Sequence, residues 1–214
     1  MNGRIRGVVG VVGCNSPKFE CDSGNLDLVT DLISKDILVV QTGCMAIASG
    51  KQGLLRPEIK EKAGPGLREI CDTVGIPPVL HAGSCVDNSR ILIACAEMVK
   101  EGGLGEDISD LPVAGCAPEW MSEKAIAIGQ YFVASGALVV FGVGLPIEGS
   151  QEVKDYLTGG IEKDLGGKWV AEPNPKRMAE VIREHIESKR DALGINESKE
   201  RKLFDMADRR ELKV

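Results

Sequence analysis

The sequence predicts an α/β fold, a Rossmann-like open parallel sheet with helices on both faces. Three observations predict it. Short runs rich in Val, Ile and Leu alternate with segments of helical periodicity, the pattern of strands buried on both faces and joined by crossover helices. Four strand-like runs end in glycine followed within two residues by cysteine: Gly13-Cys14, Gly43-Cys44, Gly83-Ser84-Cys85 and Gly115-Cys116. Glycine is plentiful, at 26 residues, and aromatic residues make up only 4%. That suits sharp strand-to-helix turns and disfavours a platform for stacking bases.

The elements follow in order. Gly7 to Val12 (GVVGVV) is the first strand, and Gly13-Cys14-Asn15-Ser16-Pro17 its exit turn. Leu28, Leu32 and Ile33 share one face of a helix over Leu26 to Ser34. Ile37 to Val40 is a second buried strand, running into Gln41-Thr42-Gly43-Cys44, and Met45 to Lys51 a helix. Pro65 opens a helix to Val74, at the position where a missing N–H costs nothing. Pro77-Pro78-Val79-Leu80 is a short strand leading to His81-Ala82-Gly83-Ser84-Cys85, with a helix from Asn88 to Lys100. Leu111 to Ala114 is the fourth strand, ending in Gly115-Cys116-Ala117-Pro118. A helix begins at Ser122-Glu123 and runs to Ala134; Ala137 to Gly142 is the fifth strand. Gln151 to Leu157 and Pro175 to Ala192 are later helices, the second amphipathic. Residues 1–194 form the α/β domain, and 195–214 a charged tail expected to be a packing arm or a frayed helix.

A chain of 214 residues buries roughly 70% of its unfolded surface, so no disulfide staple is required. Its 26 basic and 32 acidic residues give a net charge of −6, which argues against a nucleic-acid partner. No apolar run approaches the ~20 residues of a membrane span. Met1-Asn2-Gly3-Arg4-Ile5-Arg6 lacks signal-peptide architecture, so the expected compartment is the cytoplasm. Seven cysteines, an odd number without an export signal, point away from disulfides and toward core thiols, metal ligands or a redox nucleophile.

In a parallel sheet all strand C-termini lie along one edge, where ligands of open α/β sheets bind. Cys14, Cys44, Cys85 and Cys116 are therefore expected on one rim. The helix N-termini that follow favour thiolate, the form that binds metal. Cysteine is also a common buried hydrophobe, and Cys71 and Cys95, inside helical patterns, are read that way. Cys21 falls in a loop and receives no role. The spacings lack the close pairs typical of zinc. Thiols far apart in sequence suit an iron–sulfur cluster in a preformed pocket. His81, beside a strand end, is either a ligand or a core histidine, and His185 is expected to face solvent. Lys124 falls in the first turn of its helix, where a cation is mildly unfavourable, so it is either an active-site charge or an exposed helix lysine. Asp87 is read as a helix cap. Gly142-Val143-Gly144 and Gly102-Gly103-Leu104-Gly105 complete no nucleotide-binding motif.

The segments GVVGVVGCNSP, VVQTGC, IPPVLHAGSCVDNSRIL, DISDLPVAGCAPEWMSEKA and YFVASG closely resemble the C-terminal domain of nickel-containing, anaerobic-type carbon monoxide dehydrogenase. The resemblance runs from about Gly3 to about Gly194. It implies an oxidoreductase converting CO and water to CO2, two protons and two electrons, at a nickel–iron–sulfur cluster. It implies that Cys14 and Cys44 each hold an iron, that Cys85 holds nickel, and that Lys124 stabilises a bound carboxylate or carries protons. Cys116 has no such counterpart, so the rim of four overcounts by one. The remaining ligands, one histidine and two cysteines, belong to the family's N-terminal domains, as do the catalytic histidine and the iron–sulfur relay clusters. The chain is therefore expected to be a fragment or one piece of a split enzyme, with little activity alone and a homodimer when complete. The alternative is a non-catalytic metal-binding or partner-binding α/β module of the CO dehydrogenase/hybrid-cluster fold.

Overall fold

A computed structural model describes residues 3–17, 20, 22–196 and 205–211. Six strands form one all-parallel sheet in the order β3-β2-β1-β4-β5-β6. The strands are β1 (Gly7–Val11), β2 (Ile37–Thr42), β3 (Val79–Gly83), β4 (Val113–Ala117), β5 (Leu138–Phe141) and β6 (Lys168–Ala171). The helices are α1 (Ser23–Ser34), α2 (Gly43–Lys51), α3 (Pro65–Val74), α4 (Asn88–Lys100), α5 (Glu123–Ala134), α6 (Gln151–Asp155), α7 (Ile161–Leu165), α8 (Pro175–Ala192) and α9 (Met206–Glu211). Strand order reverses between β1 and β4, which opens a crevice at their C-terminal ends. Among the described residues no helix is long and apolar enough to cross a membrane.

The strands read as continuous apolar runs because both faces are covered. Val9 and Val11 of β1, with Leu138 and Val140 of β5, pack against Leu28 and Leu32 of α1 and Ile182 and Ile186 of α8. On the other face, Val8 and Val113 meet Cys95 and Met98 of α4, and Val139 and Phe141 meet Val133 of α5. Each fully buried Val, Leu or Ile contributes roughly 1.5–3 kcal/mol relative to exposure. Cys71 and Cys95 are buried, as expected of core thiols.

Several expectations are corrected. The fourth strand begins two residues later than the apolar run suggests. A tight turn over Ile108–Asp110, closed by an Asp107–Asp110 capping box, uses up the segment before it. Gly115 and Cys116 consequently lie inside β4, with Cys116 in register with Val11 and Val140. The sixth strand was not foreseen; Trp169 within it stacks on Phe141 at 4.9 Å. The helix expected over Gln151–Leu157 instead passes from α6 through a wide turn, Tyr156–Gly160, into α7. His185 does not face solvent: it is half-buried on α8, close to the backbone of Val113. Burial, and then Lys189 and Lys168, lower its pKa to about 4. In the tail, Ile195 and Asn196 accept hydrogen bonds from the buried Arg190 guanidinium, tying the end of α8 to Arg6.

Candidate metal centre at the strand ends

Three of the four rim thiols stand where the chain leaves the sheet. Gly13 (φ 123°), Gly43 (φ 56°) and Gly83 (φ 127°) all take left-handed backbone conformations that a Cβ disfavours. Cys14 follows β1 in the crevice, and its N–H donates to the Glu119 carbonyl at 2.9 Å across the β1–β4 gap. A side chain at Gly13 would collide with that same carbonyl. Cys44 sits exposed in the first turn of α2. Cys85, half-buried, opens a single tight turn, Cys85–Asp87, before α4.

Asp87 does not cap the following helix. Its carboxylate reaches back to accept the Ser84 N–H at 2.7 Å and the Ser84 hydroxyl at 3.0 Å, enclosing Cys85 in a capping box. Those two bonds, the backbone one foremost, hold the Asp87 carboxyl below its ordinary pKa. Ser122 occupies the N-cap of α5 without a side-chain capping bond. Two residues on, Lys124 extends its ammonium to within 3.4 Å of Cys85 Sγ. The Cys116 thiol is fully buried, and burial raises its pKa far above the ordinary value, so it stays a neutral core group. His81 is exposed on the edge strand β3. Cys21 lies outside the described residues.

Cys14, Cys85 and Lys124 border one cavity of about 100 Å³ that runs down the sheet between α4 and α5. Ile91 and Cys95 of α4 and Ile128 and Phe132 of α5 line it, over a floor formed by Gly10 and Gly115. These two glycines are register partners, so the sheet carries no side chain at that point of the floor, between Val8, Val113 and Val139.

The rim chemistry suits a cluster. Among the described residues no three His, Cys, Asp or Glu side chains converge as a single ion would require. Three thiols spread over three strand ends would suit a group with several metal atoms, each taking its own sulfur ligand.

Sequence reasoning missed the residues that brace this rim. Glu119, only 3% exposed, accepts the Ser16 N–H at 2.8 Å. Trp120 donates to the Val143 carbonyl at 3.0 Å and anchors the β4–α5 loop. A carboxylate between Pro118 and Trp120, in a segment otherwise poor in charge, was the available signal for Glu119. Gly10 inside an apolar strand was the signal for the hollow.

Known proteins resemble this chain closely. A model of the Prismane/CO dehydrogenase family matches residues 1–176. Carbon monoxide dehydrogenase 1 of Methanosarcina mazei is 51% identical over 194 residues, covering 91% of this chain and 31% of the relative. The carbon monoxide dehydrogenase of Rhodospirillum rubrum is 38% identical over 204 residues, covering 91% of this chain and 32% of the relative. A crystal structure of Ni-free carbon monoxide dehydrogenase from Thermococcus sp. AM4 superposes with a TM-score of 0.87 at 51% identity, covering 90% of this chain and 30% of that one. The chain thus spans about 30% of the length of the proteins it matches.

Proposed function

Because the chain belongs to the Prismane/CO dehydrogenase family, we propose that it supplies part of the ligand set and a catalytic charge for a carbon monoxide dehydrogenase centre. The remaining ligands come from polypeptide equivalent to the rest of its relatives' length. In this reading Cys14 and Cys44 each hold an iron, and Cys85 holds nickel. When bound, the nickel–iron–sulfur cluster supplies a soft metal for CO and a store for two electrons. Lys124 offers a charge-assisted hydrogen bond to the carboxylate-like charge that develops as CO gains an oxygen from water, and it can take or give a proton there. The apolar cavity beside it admits a small, weakly polar molecule and excludes bulk water. The assembled enzyme is proposed to be a cytoplasmic homodimer, with relay clusters outside this chain.

The observation that carries the reading is the meeting of Cys85 and Lys124, 3.4 Å apart, at the end of an apolar cavity also bordered by Cys14. The test is anaerobic purification, metal and sulfide analysis, and a CO-oxidation assay with an artificial electron acceptor. The assay is run on the chain alone and after co-expression with the N-terminal part of a relative. Iron, sulfide and nickel with activity only in the co-expressed sample is the expected result. Metal-free protein in both samples would refute the ligand assignment. Metal uptake without activity in either would favour a non-catalytic metal-binding module.

A further inference from the structure

We propose that the buried hydrogen bond between Thr42 and Asn88 is a positioning device that sets the separation of the Cys44 and Cys85 thiols. Thr42 is the last residue of β2 and Asn88 the first of α4. Thr42 is fully buried and Asn88 5% exposed, and the Thr42 hydroxyl donates to Asn88 Oδ1 at 2.7 Å. Thr42 stands two residues before Cys44, and Asn88 three residues after Cys85. A steric contact joins the same two segments. A Cβ built on Gly43 would lie 3.3 Å from Cys85 Cβ and 3.4 Å from its backbone nitrogen. The missing side chain at Gly43 thus lets the chains close up, and the Thr42–Asn88 bond fixes how far.

Packing alone does not ask for threonine here. Valine has nearly the same shape, favours strands and buries no hydroxyl. A hydrogen bond adds a preferred length and direction that apolar contact lacks. The neighbouring residue does the same on the opposite face. Gln41 Nε2 donates to Asn25 Oδ1 at 3.1 Å, and Asn25 Nδ2 donates to Ser49 Oγ of α2 at 3.1 Å. The last two residues of β2 therefore orient α2 from one side and α4 from the other. Cys44 rides in the first turn of α2, and Cys85 in the turn that leads into α4.

The inference rests on the proposed function only in naming these two cysteines as ligands, and its test needs no metal. Dibromobimane fluoresces once two thiols have each displaced one of its bromides, so it reports thiols within bridging distance. The full chain is compared with Thr42→Val and Thr42→Ser, and the bridged peptides are identified by mass spectrometry. Iodoacetamide rates for each thiol and far-UV circular dichroism are measured alongside. The expected result is Cys44–Cys85 bridging at similar rates in the natural chain and Thr42→Ser. In Thr42→Val bridging falls at least tenfold while the single-thiol rates and fold stay unchanged. Equal bridging in Thr42→Val, or no such bridge in the natural chain, would overturn the proposal. Should Thr42→Val not fold, Asn88→Ala removes the acceptor instead, and undiminished bridging there overturns it equally. Nickel analysis of the chain co-expressed with the N-terminal part of a relative keeps the two claims apart: a natural chain that bridges its thiols yet holds no nickel in that sample refutes the ligand role alone.

Discussion

Replacing Gly115 by alanine should stabilise the protein, because the cavity floor has room for the added methyl. An ideal Cβ at Gly115 meets nothing closer than Val139 Cγ2 at 3.6 Å and the Leu138 carbonyl at 3.9 Å, ordinary contact distances. The residue lies within β4, where alanine adopts the backbone freely. Two contributions add. Restricting the unfolded chain is worth about 0.4–1 kcal/mol. Placing one methyl in apolar surroundings is worth about 0.8 kcal/mol. The expected gain is about 1–2 kcal/mol, or roughly 2–8 °C in the unfolding midpoint for a chain of this size. Urea unfolding followed by circular dichroism measures it, with an unchanged m-value as the sign that stability changed and the extent of unfolding did not. Gly7→Ala is the control. Its Cβ would lie 2.5 Å from the Pro112 carbonyl and 2.7 Å from Ile186 Cγ2, so a loss of about 1–3 kcal/mol is expected. If Gly115→Ala destabilised as Gly7→Ala does, the hollow between α4 and α5 would not be the open space that the proposed substrate route requires.

Two cysteines of the same sequence type should behave oppositely. In the enzyme assembled with an N-terminal part, Cys116→Ala should leave nickel uptake intact and Cys85→Ala should abolish it; in the chain alone, Cys116→Ala should cost about 1 kcal/mol of stability by removing a buried sulfur, and Cys85→Ala should change the unfolding midpoint little. Equal nickel contents in the two variants would reject the division between core and rim. His185 titrates near 6.5 when unfolded and about 4 when folded, so its stabilising contribution is complete above pH 6.5 and lost as pH falls toward 4. That loss amounts to at most about 3 kcal/mol. His185→Gln should flatten the pH dependence of the urea midpoint across that window, and an unchanged slope would refute the assignment. Lys124→Met in the assembled enzyme should lower CO oxidation by about 10²–10³ with nickel content unchanged, and an undiminished rate would remove Lys124 from the chemistry.

The alternating pattern made the first five strands and most helices legible, because a strand buried on both faces must be apolar throughout. Helices α3, α4 and α8 matched their expected bounds, each with a clear start or stop: Pro65 and Gly75, Asp87 before Asn88, Asn174 before Pro175. The sixth strand stayed hidden because it is four residues at a sheet edge and contains a lysine, Lys168. His185 was misread because local charge suggested an exposed face. The fold brings it against Val113, a neighbour far away in sequence.

The rim itself was legible because parallel topology turns sequence-distant strand ends into spatial neighbours, and the error lay in treating all Gly-Cys pairs alike. At Gly13, Gly43 and Gly83 the glycine takes a positive φ, which breaks the extended chain and lifts the cysteine out of the sheet. Gly115 remains in the extended strand, and its missing side chain serves the cavity, so Cys116 stays paired between Val11 and Val140. One residue pair therefore answers two physical needs: a turn that no side chain permits, and a hollow that no side chain fills. Only the position of the strand end separates them. That position depends on the Asp107–Asp110 turn delaying β4, an interaction between residues outside the motif itself.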